Sequence, residues 1–193
     1  MGVSLTKGQT VNLTKQGGGS LSLVRMGLGW DTIKQKGLFG RVKEISVDLD
    51  ASALLVSADG RVRETVYYGN LRSSDDSIRH TGDNLTGAGE GDDESILVDL
   101  ARVPAAVAHI IFVVNSFSGQ NFSQIENATA RVVDSADRDR ELVRYELSGS
   151  GRHTAVVMAR VSRSGSGWSF TAIGTPGNAR TAKDLAPLAL SSL

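Results

Sequence analysis

Residues 82–94 read Gly82-Asp83-Asn84-Leu85-Thr86-Gly87-Ala88-Gly89-Glu90-Gly91-Asp92-Asp93-Glu94, which sets five carboxylates and one amide oxygen among four glycines. This is the donor set of a hard cation. Calcium takes six to eight oxygens at roughly 2.3–2.6 Å, so several side chains and backbone carbonyls must converge on one point. Glycine permits the positive-φ turns that aim such carbonyls inward. A charge run is usually a solvated loop, but solvation does not require glycine at every second position from Gly87 to Gly91.

A second acidic element, Asp48-Leu49-Asp50-Ala51-Ser52, lies upstream. Residues two apart on a strand point to one face, about 6.6 Å apart, so both carboxylates can tip onto a single ion or bridge two. Taken alone, they also suit the solvated face of a strand. Asp59 stands at the twelfth position counted from Asp48, which invites an EF-hand reading. That reading fails, because Ala53 occupies the sixth position where the loop needs glycine, and the flanks show strand rather than helix periodicity. Asp31, after Gly27-Leu28-Gly29-Trp30, is a third ligand candidate or else a turn residue. His80 abuts the acidic loop, whereas His109 and His153 have no carboxylate or hydroxyl partner at motif spacing.

Composition narrows the chemistry further. With no cysteine, thiolate zinc sites, disulfides, thiol nucleophiles and thiol redox chemistry are excluded. The 21 basic and 21 acidic side chains cancel, so net charge selects no partner. Their distribution is uneven: residues 75–99 carry eight carboxylates against one arginine, Arg79, a net of −7. Such a segment repels itself unless a counter-ion joins it. Scattered basic residues and an aromatic content of 5% give no support to nucleic-acid binding. The longest strongly apolar run, residues 110–114, is far too short to span a membrane, and the start lacks a signal-peptide core. A cytoplasmic protein without a membrane span is expected.

These motifs need a scaffold, and most of the periodicity is that of strands. Ile45, Val47, Leu49, Ala51 and Ala53 alternate with Ser46, Asp48, Asp50 and Ser52, which predicts a half-buried strand with an acidic outer face. Asp59-Gly60 between residues 54–57 and 62–68 predicts a hairpin. Further strands are expected at 21–26, 96–100, 110–117, 129–133, 141–147, 154–161 and 168–173. About nine or ten short strands between Gly/Ser/Asp clusters argue for one all-β domain, a two-sheet sandwich. Residues 17–19 and 164–167 read as flexible connections, and residues 122–130 as the start of a helical turn. The tail from Thr181 has the spacing of a short helix interrupted by Pro187, and is expected to pack weakly.

Taken in order, Gly27-Leu28-Gly29-Trp30-Asp31, Asp48-Leu49-Asp50-Ala51-Ser52, His80-Thr81-Gly82-Asp83-Asn84-Leu85-Thr86-Gly87 and Gly89-Glu90-Gly91-Asp92-Asp93-Glu94 resemble the signature of the TerD tellurium-resistance family. The first eight residues, Met1-Gly2-Val3-Ser4-Leu5-Thr6-Lys7-Gly8, are similar to that family's as well. Any one motif is weak, and the agreement of four is specific. The likeness covers residues 1–175. Residues 16–20 and 162–167 are looser than the family pattern, and the tail after Gly174 falls outside it. The resemblance implies a calcium-binding, non-enzymatic β-sandwich from a bacterial stress operon linked to tellurite, phage or colicin resistance. It implies partners among the other proteins of that system, membrane-associated ones included. It also implies one or two Ca²⁺ ions held by Asp31, Asp48, Asp50, Asp83, Asn84, Gly89, Asp92, Asp93 and Glu94, with Leu49, Gly87 and Glu90 counted in the same site. The alternative is a Mg²⁺- or Ca²⁺-dependent hydrolase of a phosphorylated substrate, using the same carboxylates.

Overall fold

The computed structural model describes residues 3–4, 10–12, 22–36, 41–87, 91–165 and 167–193. Alternating apolar residues on β3 (Leu23–Gly29), β9 (Glu94–Asp99), β10 (His109–Ser116) and β13 (Ala155–Ser164) face one another across two sheets. The first sheet has the order β1-β12-β11-β3-β9-β8, with β1 (Val3–Ser4), β8 (Ile78–His80), β11 (Thr129–Asp134) and β12 (Arg140–Glu146). The second runs β2-β14-β13-β10-β6-β7, with β2 (Thr10–Asn12), β6 (Leu49–Val56), β7 (Val62–Val66) and β14 (Gly167–Gly177). Among the described residues, all pairings are antiparallel except β1 with β12. The core between the sheets holds Met26, Leu28, Leu49, Ile78, Ile96, Ile110, Phe112 and Phe122, all essentially inaccessible to solvent. Truncating one such side chain to alanine costs about 2–5 kcal/mol. The expected all-β two-sheet sandwich is therefore the observed fold.

Where the acidic strand was expected, the chain does something else. Residues 45–53 are not one strand: Ile45 ends β5 (Val42–Ile45), which pairs with β4 (Ile33–Lys36) in a separate ribbon, and β6 begins at Leu49. Asp48 lies in the connection ahead of β6. Nor is the outer face of β6 solvated, since all eight of its residues are buried. The cover is α1 (Ala182–Leu190), so the tail that was expected to pack weakly is a structural layer. Ala182, Leu185 and Ala189 lie on one helix face against Leu54, Val56, Ile111, Val113 and Val157, the outward residues of the second sheet. Thr181 caps the helix by accepting from Asp184 N, and this burial outweighs the hydrogen bond lost at Pro187.

Asp59-Gly60 does form the β6–β7 hairpin, with Gly60 N donating to Ser57 O at 2.9 Å. Residues 122–127 form a turn and a bend rather than a helix, residues 129–130 already belong to β11, and Phe122, Ile125 and Ala128 enter the core individually. β13 and β14 pair antiparallel with Ser164 opposite Gly167, and Ser166 of the expected 164–167 connection lies outside the described residues. The Gly17–Gly19 tract lies outside the described residues.

Candidate metal centre

At one end of the sandwich the connection into β6 meets the loop between β8 and β9. Asp48, Asp50 and Asp83 each bring a carboxylate oxygen to within 4.8 Å of the others. Asp50 belongs to β6 of the second sheet, Asp48 to the connection ahead of it, and Asp83 to the loop between two strands of the first. Asp48 is fixed through its backbone: its N–H donates to Ser118 Oγ at 3.0 Å and its carbonyl accepts from Phe117 N at 2.9 Å. Asp50 is only 4% exposed, paired in register with Asn115 of β10, whose Nδ2 donates to Asp50 Oδ2 at 2.7 Å. Asp48 Oδ1 is buried without a hydrogen-bond partner among the described residues.

The other predicted ligands stand around this cluster rather than in it. Glu94, fully buried at the start of β9, joins the two sheets: Oε2 accepts from Ala51 N of β6 at 2.7 Å, and Oε1 accepts from Asn84 N at 3.3 Å. His80 accepts from Gly82 N through Nδ1, so its proton sits on Nε2, which lies 3.3 Å from Glu94 Oε2. That contact has the distance of an ion pair but not the alignment of a hydrogen bond. Asp93 accepts from Trp30 N at 2.9 Å and from Asn84 Nδ2 at 2.7 Å. Asn84 Oδ1 takes three donors, Thr86 N, Thr86 Oγ1 and Gly87 N, which makes Asn84 the brace of the loop.

Asp92 turns away to the arginines. It pairs with Arg25 and, at 2.8 Å, with Arg131 Nε, above Gly27, where a Cβ would collide with its carboxylate. Asp31 is exposed and accepts from Asn127 Nδ2 at 2.6 Å. Leu49 is a core side chain. Gly87, at φ +66°, lies against Trp30, and a Cβ there would sit 2.2 Å from the indole nitrogen. Gly89 and Glu90 lie outside the described residues.

Trp30 and Asn115 are the organising residues that the motif reading passed over. Trp30 Nε1 donates to Val47 O at 2.8 Å, so the buried indole ties the connection ahead of β6 to the acidic loop. The Gly-x-Gly-Trp-Asp motif carried that signal. Nothing marks Asn115 in sequence, because its meaning comes from its register opposite Asp50.

The electrostatics are those of negative charge held out of water. Burial, opposed by the Asn115 hydrogen bond and reinforced by Glu94, Asp48 and Asp83, pushes the Asp50 carboxyl up to about 7. Asp48 is raised by burial and then by Asp83 and Glu94. Asp93 is raised by burial, against the Trp30 N–H, with Asp31 and Asp92 adding to the rise. A divalent cation among Asp48, Asp50 and Asp83 would relieve the first two of these penalties. Three convergent carboxylates and an unpartnered buried oxygen fit an oxygen-coordinated ion such as calcium.

A two-sheet β-sandwich that gathers carboxylates at one end from β6 and the connections around it, with a helix on its outer face, defines the class. The chain belongs to the TerD domain family, whose match spans residues 1–189 and so extends past residue 175 into α1. It is 45% identical over 185 residues to tellurium resistance protein TerZ of Serratia marcescens, covering 95% of this chain and 94% of that one. It is 39% identical over 198 residues to stress response protein SCP2 of Bacillus subtilis, covering 96% and 98% respectively. A crystal structure of a TerD homologue from Streptomyces coelicolor shares the fold, with a TM-score of 0.71 at 24% identity over 86% of this chain and 95% of that one. No helix among the described residues is long and apolar enough to cross a membrane.

Proposed function

We propose that this protein is a calcium-binding, non-enzymatic component of a bacterial stress response of the tellurium-resistance type. The observation that carries the calcium reading is the convergence of Asp48, Asp50 and Asp83 with Asp48 Oδ1 buried and unpartnered. The stress-response part is supported by the tellurium-resistance and stress-response names of its relatives. On this reading Asp48, Asp50 and Asp83 hold the ion, while Glu94, Asp93 and Asn84 hold the loop that presents Asp83. Calcium is favoured over magnesium because the donors sit on two separate backbone segments, whereas magnesium demands a compact octahedron and sheds water reluctantly. A bound cation changes the charge and order of an exposed loop, which is a means of switching a partner surface. The partners on this reading are other proteins of the same system, including membrane-associated ones, and the compartment is the cytoplasm.

Calorimetric titration of chelator-treated protein with Ca²⁺ and Mg²⁺ tests the reading. Calcium is expected to bind in the micromolar range or tighter and to be preferred. Equal affinity for the two ions, or no uptake of either, would overturn it.

A further inference from the structure

Exposed apolar side chains gather at the end of the sandwich where the carboxylates meet. β6 begins and β10 ends there, with Asp50 opposite Asn115, and β7 runs toward the same end, with Val66 opposite Ala53. In the first sheet β8 ends and β9 begins there, and Glu94 ties that sheet to Ala51 N. The β4–β5 ribbon leaves after β3 and returns ahead of β6, so it stands at this end as well. Among the described residues, Val42, Tyr68, Leu71, Leu85, Phe117 and Leu193 are the exposed large apolar side chains. All but Leu193 lie in the ribbon or the connections of this end, whereas Leu193 follows α1 and sits near Gly60 of the β6–β7 hairpin. Such residues are ordinary when scattered and informative when gathered.

Their neighbours are the carboxylates. Phe117 N donates to Asp48 O at 2.9 Å, and the Phe117 ring meets Tyr68 edge to face with centroids 6.4 Å apart. Leu85, 60% exposed, lies two residues beyond Asp83 in the same loop. Leu71 O accepts from His80 N at 2.8 Å, at the entrance to that loop. Because these side chains come from separate connections, they form no strip that one partner helix or strand would cover. A fluid apolar interface receives them without a matching shape.

Charge is the second observation. Lys34 and Lys43 of the ribbon, Arg41 ahead of β5, and Arg180 and Lys183 at the start of α1 are exposed and make no ion pair among the described residues. Arg180 reaches the turn after Phe117, its Nη2 3.4 Å from where a Cβ on Gly119 would sit. On the ribbon the exposed acid is Glu44, opposite Lys34, while Asp31, Glu126 and Glu146 belong to strand ends and connections of the first sheet. An anionic surface suits these cations but not the bare cluster, whose three carboxylates repel it. Calcium reverses that repulsion. It takes six to eight oxygens, so three carboxylates leave positions for oxygens from outside, and Asp83 is exposed.

An anionic phospholipid surface offers hydrocarbon to Leu85 and Phe117, negative charge to the lysines and arginines, and phosphate oxygens to the ion. We propose that this end of the sandwich docks on such a surface when calcium is bound, without spanning it. The proposal rests on the calcium reading, because without the ion the cluster opposes the contact.

The test uses the full chain. Calcium affinity is measured first by calorimetry, and the protein is then sedimented with phosphatidylcholine vesicles that contain either no anionic lipid or about a third phosphatidylglycerol. With calcium it is expected to sediment with the anionic vesicles, and to stay in solution with the neutral ones and in chelator. The paired change Leu85→Ser and Phe117→Ser, on exposed side chains, is expected to weaken vesicle binding about tenfold or more while leaving calcium affinity unchanged. Lys34→Glu with Lys43→Glu is expected to weaken it by a similar factor of about ten or more, since each cation near an anionic surface contributes about fivefold. Asp83→Asn should lose vesicle binding at the same calcium concentration, which separates an ion held by the protein from calcium acting on the lipid alone. Calcium uptake without sedimentation on anionic vesicles overturns this inference, leaves the calcium reading standing and assigns the exposed side chains to a protein partner. Equal binding in chelator, or undiminished binding in the Leu85/Phe117 variant, also overturns it. If the protein takes up no calcium, both readings fall.

Discussion

Among the carboxylates, position relative to Arg25, Arg131 and Asn84 separates those available to the proposed cation from those already neutralised by protein. Asp48, Asp50 and Asp83 face one another, whereas Asp92 is paired with two part-buried arginines. Asp48→Asn, Asp50→Asn and Asp83→Asn are each expected to weaken calcium binding by about tenfold or more in calorimetry, since each removes a ligand charge. Asp92→Asn should leave calcium affinity nearly unchanged and instead lower stability by about 1–3 kcal/mol, read from denaturant midpoints, because it strands Arg25 and Arg131. Loss of affinity in the Asp92 variant equal to that of the cluster variants would place it in the ion's coordination after all. The cluster also sets a pH dependence of unusual sign. With the Asp50 carboxyl raised from 3.8 to about 7, the folded chelated protein favours the protonated form. The stability this contributes is complete below about pH 4 and is lost as pH rises through 7, up to about 4 kcal/mol. His109 and His153, lowered by burial, give the opposite slope below their ordinary value of 6.5. The measurement is therefore the difference between wild type and Asp50→Asn in chelator: wild type should lose stability relative to the variant from pH 5 to pH 8, and calcium should remove that loss.

Two elements position the cluster, and each has a weak point where one methyl group or one side chain decides. Gly87 is where the acidic loop passes over Trp30, so Gly87→Ala adds both a positive-φ penalty and a collision with the indole. It should cost about 2–4 kcal/mol and reduce calcium affinity together with stability, because the loop that carries Asp83 is displaced. On the other side, Leu185 of α1 is 2% exposed against the outer face of the second sheet. Leu185→Ala is expected to lower stability by about 2–4 kcal/mol in thermal or denaturant unfolding, a cost that a loosely attached tail would not show. Of the core strands, β9, β11 and β14 carry the period-two alternation of a sheet with one buried face, whereas β10 and β13, buried on both faces, were legible as continuous apolar runs. β1, β2, β4, β5 and β8 were missed, being two to four residues long, too short for any period to repeat. The outer burial of β6 was not legible, since Asp50 and Ser52 look solvated until α1 arrives from residues 182–190. In the site, the residue types of the donors were readable. Their division into Asp48, Asp50 and Asp83 on one hand and Asp92 on the other was not, because it depends on Arg25 and Arg131, brought beside Asp92 by the pairing of β3, β9 and β11.

For the whole molecule, the proposed ion site would couple ion binding to folding, because its members come from segments that only the folded sandwich brings together. Asp48 and Asp50 enter the second sheet, Asp83 hangs from the β8–β9 loop, and Glu94 fastens the two sheets through Ala51 N. The unfolded chain has no such site, so a cation held there would bind the native state almost exclusively and stabilise it by RT ln(1 + [L]/Kd), about 4 kcal/mol at a thousandfold excess over Kd. For a chain of 193 residues, each kcal/mol moves the melting midpoint by about 2–4 °C. Saturating calcium is thus expected to raise the midpoint by about 10 °C over protein in chelator, with equal concentrations of magnesium giving a smaller rise. Scanning calorimetry of wild type and Asp83→Asn, each with calcium and with chelator, makes the comparison. Asp83 is exposed in the loop, so its replacement should scarcely change the chelated midpoint while removing most of the calcium-dependent rise. A wild-type midpoint that does not move between calcium and chelator would mean that the carboxylates at this end of the sandwich hold no ion in solution.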